Sequence, residues 1–157
     1  MSSILGTYAR KNISFSKGKG CYLYDLKGKK YLDFVSGIAV NSLGHCHQHL
    51  VKIIREQAKK LWHVSNAFII PEQEKLARRL TNHTFADFVC FQNSGSEATE
   101  ASIKIARKYF HTIGKPNKKR IITFKGAFHG RTIAALFAAN NPKHVKGFDP
   151  KVDGFDQ

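Results

Sequence analysis

The chain has 157 residues, 42% of them hydrophobic, enough to bury one moderate core. Its 26 Lys+Arg against 11 Asp+Glu give a formal charge of +15, a balance that raises nucleic acid as a partner. The cations are scattered at turns, however (Lys17, Lys19, Lys27, Lys29, Lys30, then Lys115, Lys118, Lys119, Arg120), where a solvated surface explains them, and no nucleic-acid partner is expected.

Three cysteines, Cys21, Cys46 and Cys90, follow no regular spacing, which argues against a disulfide framework and fits a reducing, cytoplasmic setting. The N-terminus lacks a signal-peptide pattern, and no apolar run approaches the length of a membrane span, so no membrane partner is expected.

Residues 1–43 are predicted to hold an antiparallel meander. Ser14–Lys17, Cys21–Asp25 and Lys30–Phe34 are short aromatic-rich runs, separated by Gly18-Lys19-Gly20 and Leu26-Lys27-Gly28-Lys29 as turns. His45-Cys46-His47-Gln48-His49 comes next. It has the residue types of a zinc site, but no second Cys/His pair lies at a suitable distance, and a turn into the next helix is the simpler account. No metal is expected. His49–Leu61 has a helical stripe of Leu50, Ile53, Ile54, Gln57 and Leu61. Trp62–Asn66 reads as a loop with one buried indole. Pro71–Leu80 opens with Pro at a helix N-terminus.

The chemistry concentrates further on. Phe88–Phe91 reads as a buried strand, followed by the small polar turn Asn93-Ser94-Gly95-Ser96 and a helix with Ala98, Ala101, Ile105 and Tyr109 on its apolar face. The first N–H groups of a helix lack intrahelical partners and its dipole favours negative charge, so a strand–turn–helix of this kind makes an anion site. An ordinary N-cap at Ser96 is the alternative, with Glu97 and Glu100 in the first turn. Arg120–Phe124 is a second strand pattern, running through Lys125–Thr132 into a helix at Ile133–Ala139. Parallel pairing of the two strands would bring both turns to one sheet edge, where ligands bind in open α/β sheets. Phe128, His129 and Arg131 would then face the Ser-Gly-Ser turn. That set suits a ligand with a phosphate, an aromatic ring and a carboxylate.

Asn93–Ala98 and Phe128–Thr132 together resemble the class III pyridoxal-phosphate aminotransferases. Gly37–His47 and Leu61–Asn66 are most similar to the bacterial acetylornithine branch of that family. The resemblance implies the N-terminal part of a PLP-transferase type I fold, an α/β fold. In it, residues 1–43 belong to a small domain and 44–157 to an incomplete large cofactor-binding domain. It implies pyridoxal 5′-phosphate as cofactor, held at Ser94, Gly95 and Ser96 with Phe128 stacked on its ring, and Arg131 on the substrate's α-carboxylate. Glu97 matches a family acid near the site.

The implied activity, in arginine biosynthesis, moves the δ-amino group of N-acetylornithine to 2-oxoglutarate in a homodimer. Ornithine, succinylornithine or 4-aminobutyrate are related donors. The family's aldimine lysine and pyridine-pairing aspartate match nothing in this chain. It therefore reads as truncated and inactive alone, with no catalytic residue of its own. An inactive remnant or a basic, non-catalytic binding module is the second expectation.

Overall fold

The aromatic runs near the N-terminus pair as expected. The computed structural model describes residues 3–157, and the chain divides into two compact units, the first ending at Ile70 and the second starting at Pro71. In the first, β1 (Phe15–Lys19), β2 (Tyr22–Asp25) and β3 (Lys30–Leu32) form a sheet of order β1-β2-β3 with both pairs antiparallel. Asp25 closes the second turn: its Oδ1 accepts from the N–H groups of Lys27 and Lys29 at 2.8 and 2.9 Å.

The first turn lies later than its glycines suggest. Gly18 is inside β1, where an added Cβ would stand 2.6 Å from the His45 ring. Gly20 makes the turn, and it exchanges backbone hydrogen bonds of 3.0 and 2.8 Å with His45. One glycine makes room for an imidazole, and the other bends the chain.

Asp33 organises the segment after β3. Its Oδ2 lies 2.7 Å from His45 Nε2, and its Oδ1 accepts from the N–H groups of Val35 and Ser36 at 3.0 and 2.9 Å. The His45 hydrogen bond holds the Asp33 carboxyl below the usual carboxylate range. Beyond it, α1 (Ser36–Ala39) is a single left-handed turn, with φ of +52°, +63°, +59° and +63°. Such a run is unfavourable by roughly 1–2 kcal/mol per non-glycine residue, and the Asp33 hydrogen bonds at its start help to hold it. The segment 44–47 is the turn into α2 (Gln48–Ala58). The apolar stripe of α2 is present but uncovered, and Trp62 is 87% exposed rather than buried, its indole N–H donating to the Ala58 carbonyl at 2.6 Å.

The second unit begins with α3 (Pro71–Thr81) and continues with α4 (Gly95–Thr112), β4 (Ile121–Ile122), α5 (Ile133–Ala139), α6 (Pro142–Val145) and β5 (Phe155–Asp156). Three expectations fail here. Residues 88–91 form no strand, and Phe88 is 91% exposed. An apolar run becomes a strand only where a neighbour completes its backbone hydrogen bonds, and the described residues supply none for it. The parallel partner of β4 is instead β5. On α4 the buried residue is Ile103, whereas Ile105 and Tyr109 are exposed. The packed face is thus offset from the stripe read from sequence, because β4, β5 and α5 lie against Ile103.

The core there is small: Ile103, Ala138 and Phe155, with Ile121, Ala134 and Val152 against them. Many large apolar side chains are exposed, among them Phe34, Trp62, Phe85 and Phe88.

Arg120 ties β4 to β5. Its guanidinium bonds both Asp156 oxygens, at 2.7 to 3.1 Å, and reaches Asp153 at 3.3 Å. Thr123 completes the junction, its buried hydroxyl donating to the Ala138 carbonyl at 2.8 Å. The Arg120 hydrogen bond holds the Asp156 carboxyl below its usual range, and the Gly154 N–H with Arg120 does so for Asp153. Carboxyls depressed in the folded state contribute stability above their unfolded pKa, about 3.9, and lose it as pH falls through the folded values. Arg120→Gln is therefore expected to lower the melting temperature at pH 7 and to flatten its fall below about pH 4. Identical melting profiles against pH for the two proteins would contradict this role.

Candidate functional site

The N-terminus of α4 is built by a variant of the capping box, in which the Glu reaches the residue before the cap. Ser94, extended at φ −149° and ψ 162°, is the N-cap, and its Oγ accepts from the Glu97 N–H at 3.2 Å. Glu97 reaches back, its Oε2 accepting from the Asn93 N–H at 2.7 Å. The cap is therefore Ser94, not Ser96, and Glu97 is occupied by capping rather than by the cleft. Among the described residues, no hydrogen bond uses the N–H of Gly95 or Ser96. These two donors stand at the positive end of an 18-residue helix. A Cβ added at Gly95 would meet nothing within 4 Å, so the space over this backbone is open.

The second wall is the loop after β4. Phe128 keeps its ring 69% exposed. Gly130 is buried, with φ +129°, and a Cβ there would collide with the Ser96 Oγ. That Oγ accepts from the Arg131 N–H at 3.2 Å. A hydroxyl that accepts in this way keeps its own proton for another acceptor. Thr132 then caps α5 and donates to Glu100 Oε1 of α4 at 2.5 Å.

Ser94, Gly95, Ser96, Thr99, Phe128, His129, Gly130 and Arg131 consequently line one cleft of about 570 Å³. The cofactor and substrate candidates Ser94, Gly95, Ser96, Phe128 and Arg131 are all in it, and Glu97 is not, although the sheet pairing inferred to unite them is not what does so. The direct contact of Ser96 with Gly130 and Arg131 brings them together. Thr99, Gly130 and Glu100 have no site role in the reading of the sequence. The spacing of Ser96, Thr99 and Glu100, three and four residues apart on one helix face, was the available signal.

The donor set fits a phosphorylated aromatic ligand. Two unused backbone N–H groups and a hydroxyl proton suit a phosphate, and an exposed ring suits stacking. His129 Nε2 is buried without a hydrogen-bond partner among the described residues, a polar atom set to meet a polar group.

A profile of the class-III aminotransferases matches residues 7–157. The chain belongs to this family. It is 56% identical to the acetylornithine aminotransferase of Agrobacterium fabrum over 98% of its length, covering 39% of that protein. It is also 56% identical to the Brucella melitensis acetylornithine aminotransferase over 96% of the chain and 38% of the relative. Among solved structures it superposes with a TM-score of 0.92 and 30% identity on an ornithine aminotransferase from Toxoplasma gondii, over 98% of this chain and 37% of that one. That structure is one with partial occupancy of PLP at its active site. The fold is thus the N-terminal portion of the class III aminotransferase fold, and the chain spans a little over a third of the length of the relatives it matches.

The two glycines of the cleft separate packing from access. Gly130→Ala is expected to destabilise the second unit by about 1–3 kcal/mol through overpacking on Ser96, whereas Gly95→Ala should leave its melting temperature within a degree or two of the parent. Equal effects of the two substitutions would show that the close approach at Gly130 is not a constraint.

Proposed function

We propose that this cleft is the phosphate and ring subsite of pyridoxal 5′-phosphate in an acetylornithine aminotransferase. The observation that carries the reading is the convergence of the Ser94–Ser96 turn and the Phe128–Arg131 loop on one open space. The kinship with acetylornithine aminotransferases at 56% identity supports the choice of donor. In the complete protein, residues 1–43 would belong to the small domain and 44–157 to the cofactor-binding domain, within a homodimer. Three free, exposed thiols suit a reducing cytoplasm.

When bound, pyridoxal 5′-phosphate supplies the electron sink that amino-group transfer needs. The residues of this chain would bind and orient. The N–H groups of Gly95 and Ser96, with the Ser96 hydroxyl, would hold the phosphate against the dipole of α4. Phe128 would cover one face of the ring. Arg131 would grip the α-carboxylate of N-acetylornithine, or of 2-oxoglutarate in the second half-reaction, with a planar fork that an ammonium cannot offer. Transfer also requires a lysine to carry the cofactor, and among the described residues no lysine lines the cleft. Lys125 stays on the loop outside it.

The reading predicts that the purified 157-residue chain shows no turnover of N-acetylornithine with 2-oxoglutarate; measurable turnover in a coupled glutamate assay would contradict it. Gly95→Val should abolish binding of pyridoxal 5′-phosphate, followed by phosphorus NMR, while leaving the circular dichroism of the chain unchanged. Undiminished binding would remove the phosphate from this turn. Arg131→Lys in the complete protein should weaken amino-acid binding by about 1.5–3 kcal/mol with cofactor affinity preserved. Unchanged substrate affinity would exclude Arg131 as the carboxylate anchor.

A further inference from the structure

The two walls of the cleft are joined by one face of α4. Ser96 and Glu100 lie one helical turn apart and therefore project side by side. Each takes a hydrogen bond from the loop opposite, in consecutive residues: the Arg131 N–H donates to Ser96 Oγ at 3.2 Å and the Thr132 hydroxyl to Glu100 Oε1 at 2.5 Å. Gly130, the preceding residue, is pressed against Ser96 with no room for a Cβ. Thr132 is also the N-cap of α5, its Oγ1 accepting from the Ala135 N–H at 3.4 Å. Three successive loop residues are thus seated on two side chains of one helix.

We propose that Ser96 and Glu100 form a ledge that holds the backbone of Arg131 at a set distance from the N-terminus of α4, which makes Glu100 a positioning residue for a ligand carrying a phosphate and a carboxylate. The inference rests on the cleft being a site for those two groups. The helix that offers the phosphate donors is the same helix that seats the backbone of the guanidinium. The spacing between the two ends of the ligand is therefore measured along a rigid element rather than along the loop. Glu100 itself does not line the cleft. Its part is to accept the hydrogen bond of the Thr132 hydroxyl. Ser96 has two tasks, since the lone pair that seats Arg131 leaves its proton free to reach an anion, and a chain of this kind strengthens both bonds.

Two probes separate the ends of the cleft. Inorganic phosphate reads the Gly95 and Ser96 amides, and glutarate, a plain dicarboxylate, reads the Arg131 end. Both are titrated into the nitrogen-15-labelled 157-residue chain and followed by amide NMR. Glu100→Ala is expected to shift the Arg131 and Thr132 amides and to weaken glutarate about tenfold, as for loss of one hydrogen bond to a charged group. Phosphate affinity should stay within about twofold. Glu100→Gln, which keeps a neutral acceptor for Thr132, should restore most of the glutarate affinity and return the amides toward their original positions.

A purely structural role for Glu100 would weaken both probes together, and that result overturns the proposal. So does a Gln variant no better than the Ala variant, or an Ala variant that leaves the Arg131 amide and the glutarate affinity unchanged. If the unsubstituted chain binds neither probe, the ligand reading of the cleft fails and the positioning role falls with it. The Arg131 and Thr132 amide shifts then report only whether Glu100 seats the loop.

Discussion

The cleft exists because the backbone at Gly130 can pass directly against the side chain of Ser96. A methyl group at Gly130 would overlap the Ser96 Oγ, and the backbone there adopts φ +129°, which L side chains rarely take. The rest of the site depends on this contact. It brings the Arg131 N–H onto Ser96, the Thr132 hydroxyl onto Glu100, and α5 into the register that buries Ala135, Phe137 and Ala138. The two segments that carry the chemistry are more than thirty residues apart in sequence, and no ladder of strands joins them. One helix face and one glycine do so.

The energetics of the chain are divided unevenly around that contact. The second unit has a compact centre, with Arg120 bridging two carboxylates and Thr123 satisfying a buried carbonyl. Elsewhere apolar side chains stand in the open: Phe34, Val35, Ile38 and Val40 around the left-handed turn, and Phe85 and Phe88 before α4. The acetylornithine aminotransferases it matches are more than twice as long as this chain. The strain in Ser36–Ala39 is held by local means, through Asp33 and the His45 ring seated over Gly18. The unfavourable turn is thus offset by a nearly buried carboxylate at its start.

Much of the site could be read from the residues, for physical reasons. The small polar turn Asn93–Ser96 before a helical pattern marks a helix start whose free N–H groups suit an anion, although the cap is Ser94 and not the Ser96 that the pattern offered. A Phe-His-Gly-Arg loop after a strand supplies the ring and the cation. The meander is legible because its aromatic runs alternate with turn residues, and α5 because Ile133–Ala139 follows a Thr cap. The features that could not be read depend on tertiary partners. Phe88–Phe91 has the composition of a buried strand, but a strand needs a neighbour. The helical period puts Ala98, Ala101, Ile105 and Tyr109 on the apolar stripe of α4, yet packing chooses the face of Ile103. Trp62 belongs inside on the habit of indoles, and no described residue covers it. Glycines 18 and 20 look alike in sequence, and only the position of His45 distinguishes spacer from turn.

The central claim is that the N-terminus of α4 and the Phe128 ring receive the two ends of one cofactor. A crystal structure of the chain grown with pyridoxal 5′-phosphate tests it most directly. The account predicts phosphate oxygens within about 2.7–3.2 Å of the Gly95 and Ser96 nitrogens and the pyridine ring lying against Phe128. A phosphate bound instead among the surface lysines, with the Ser94–Arg131 cleft holding only solvent, would contradict it.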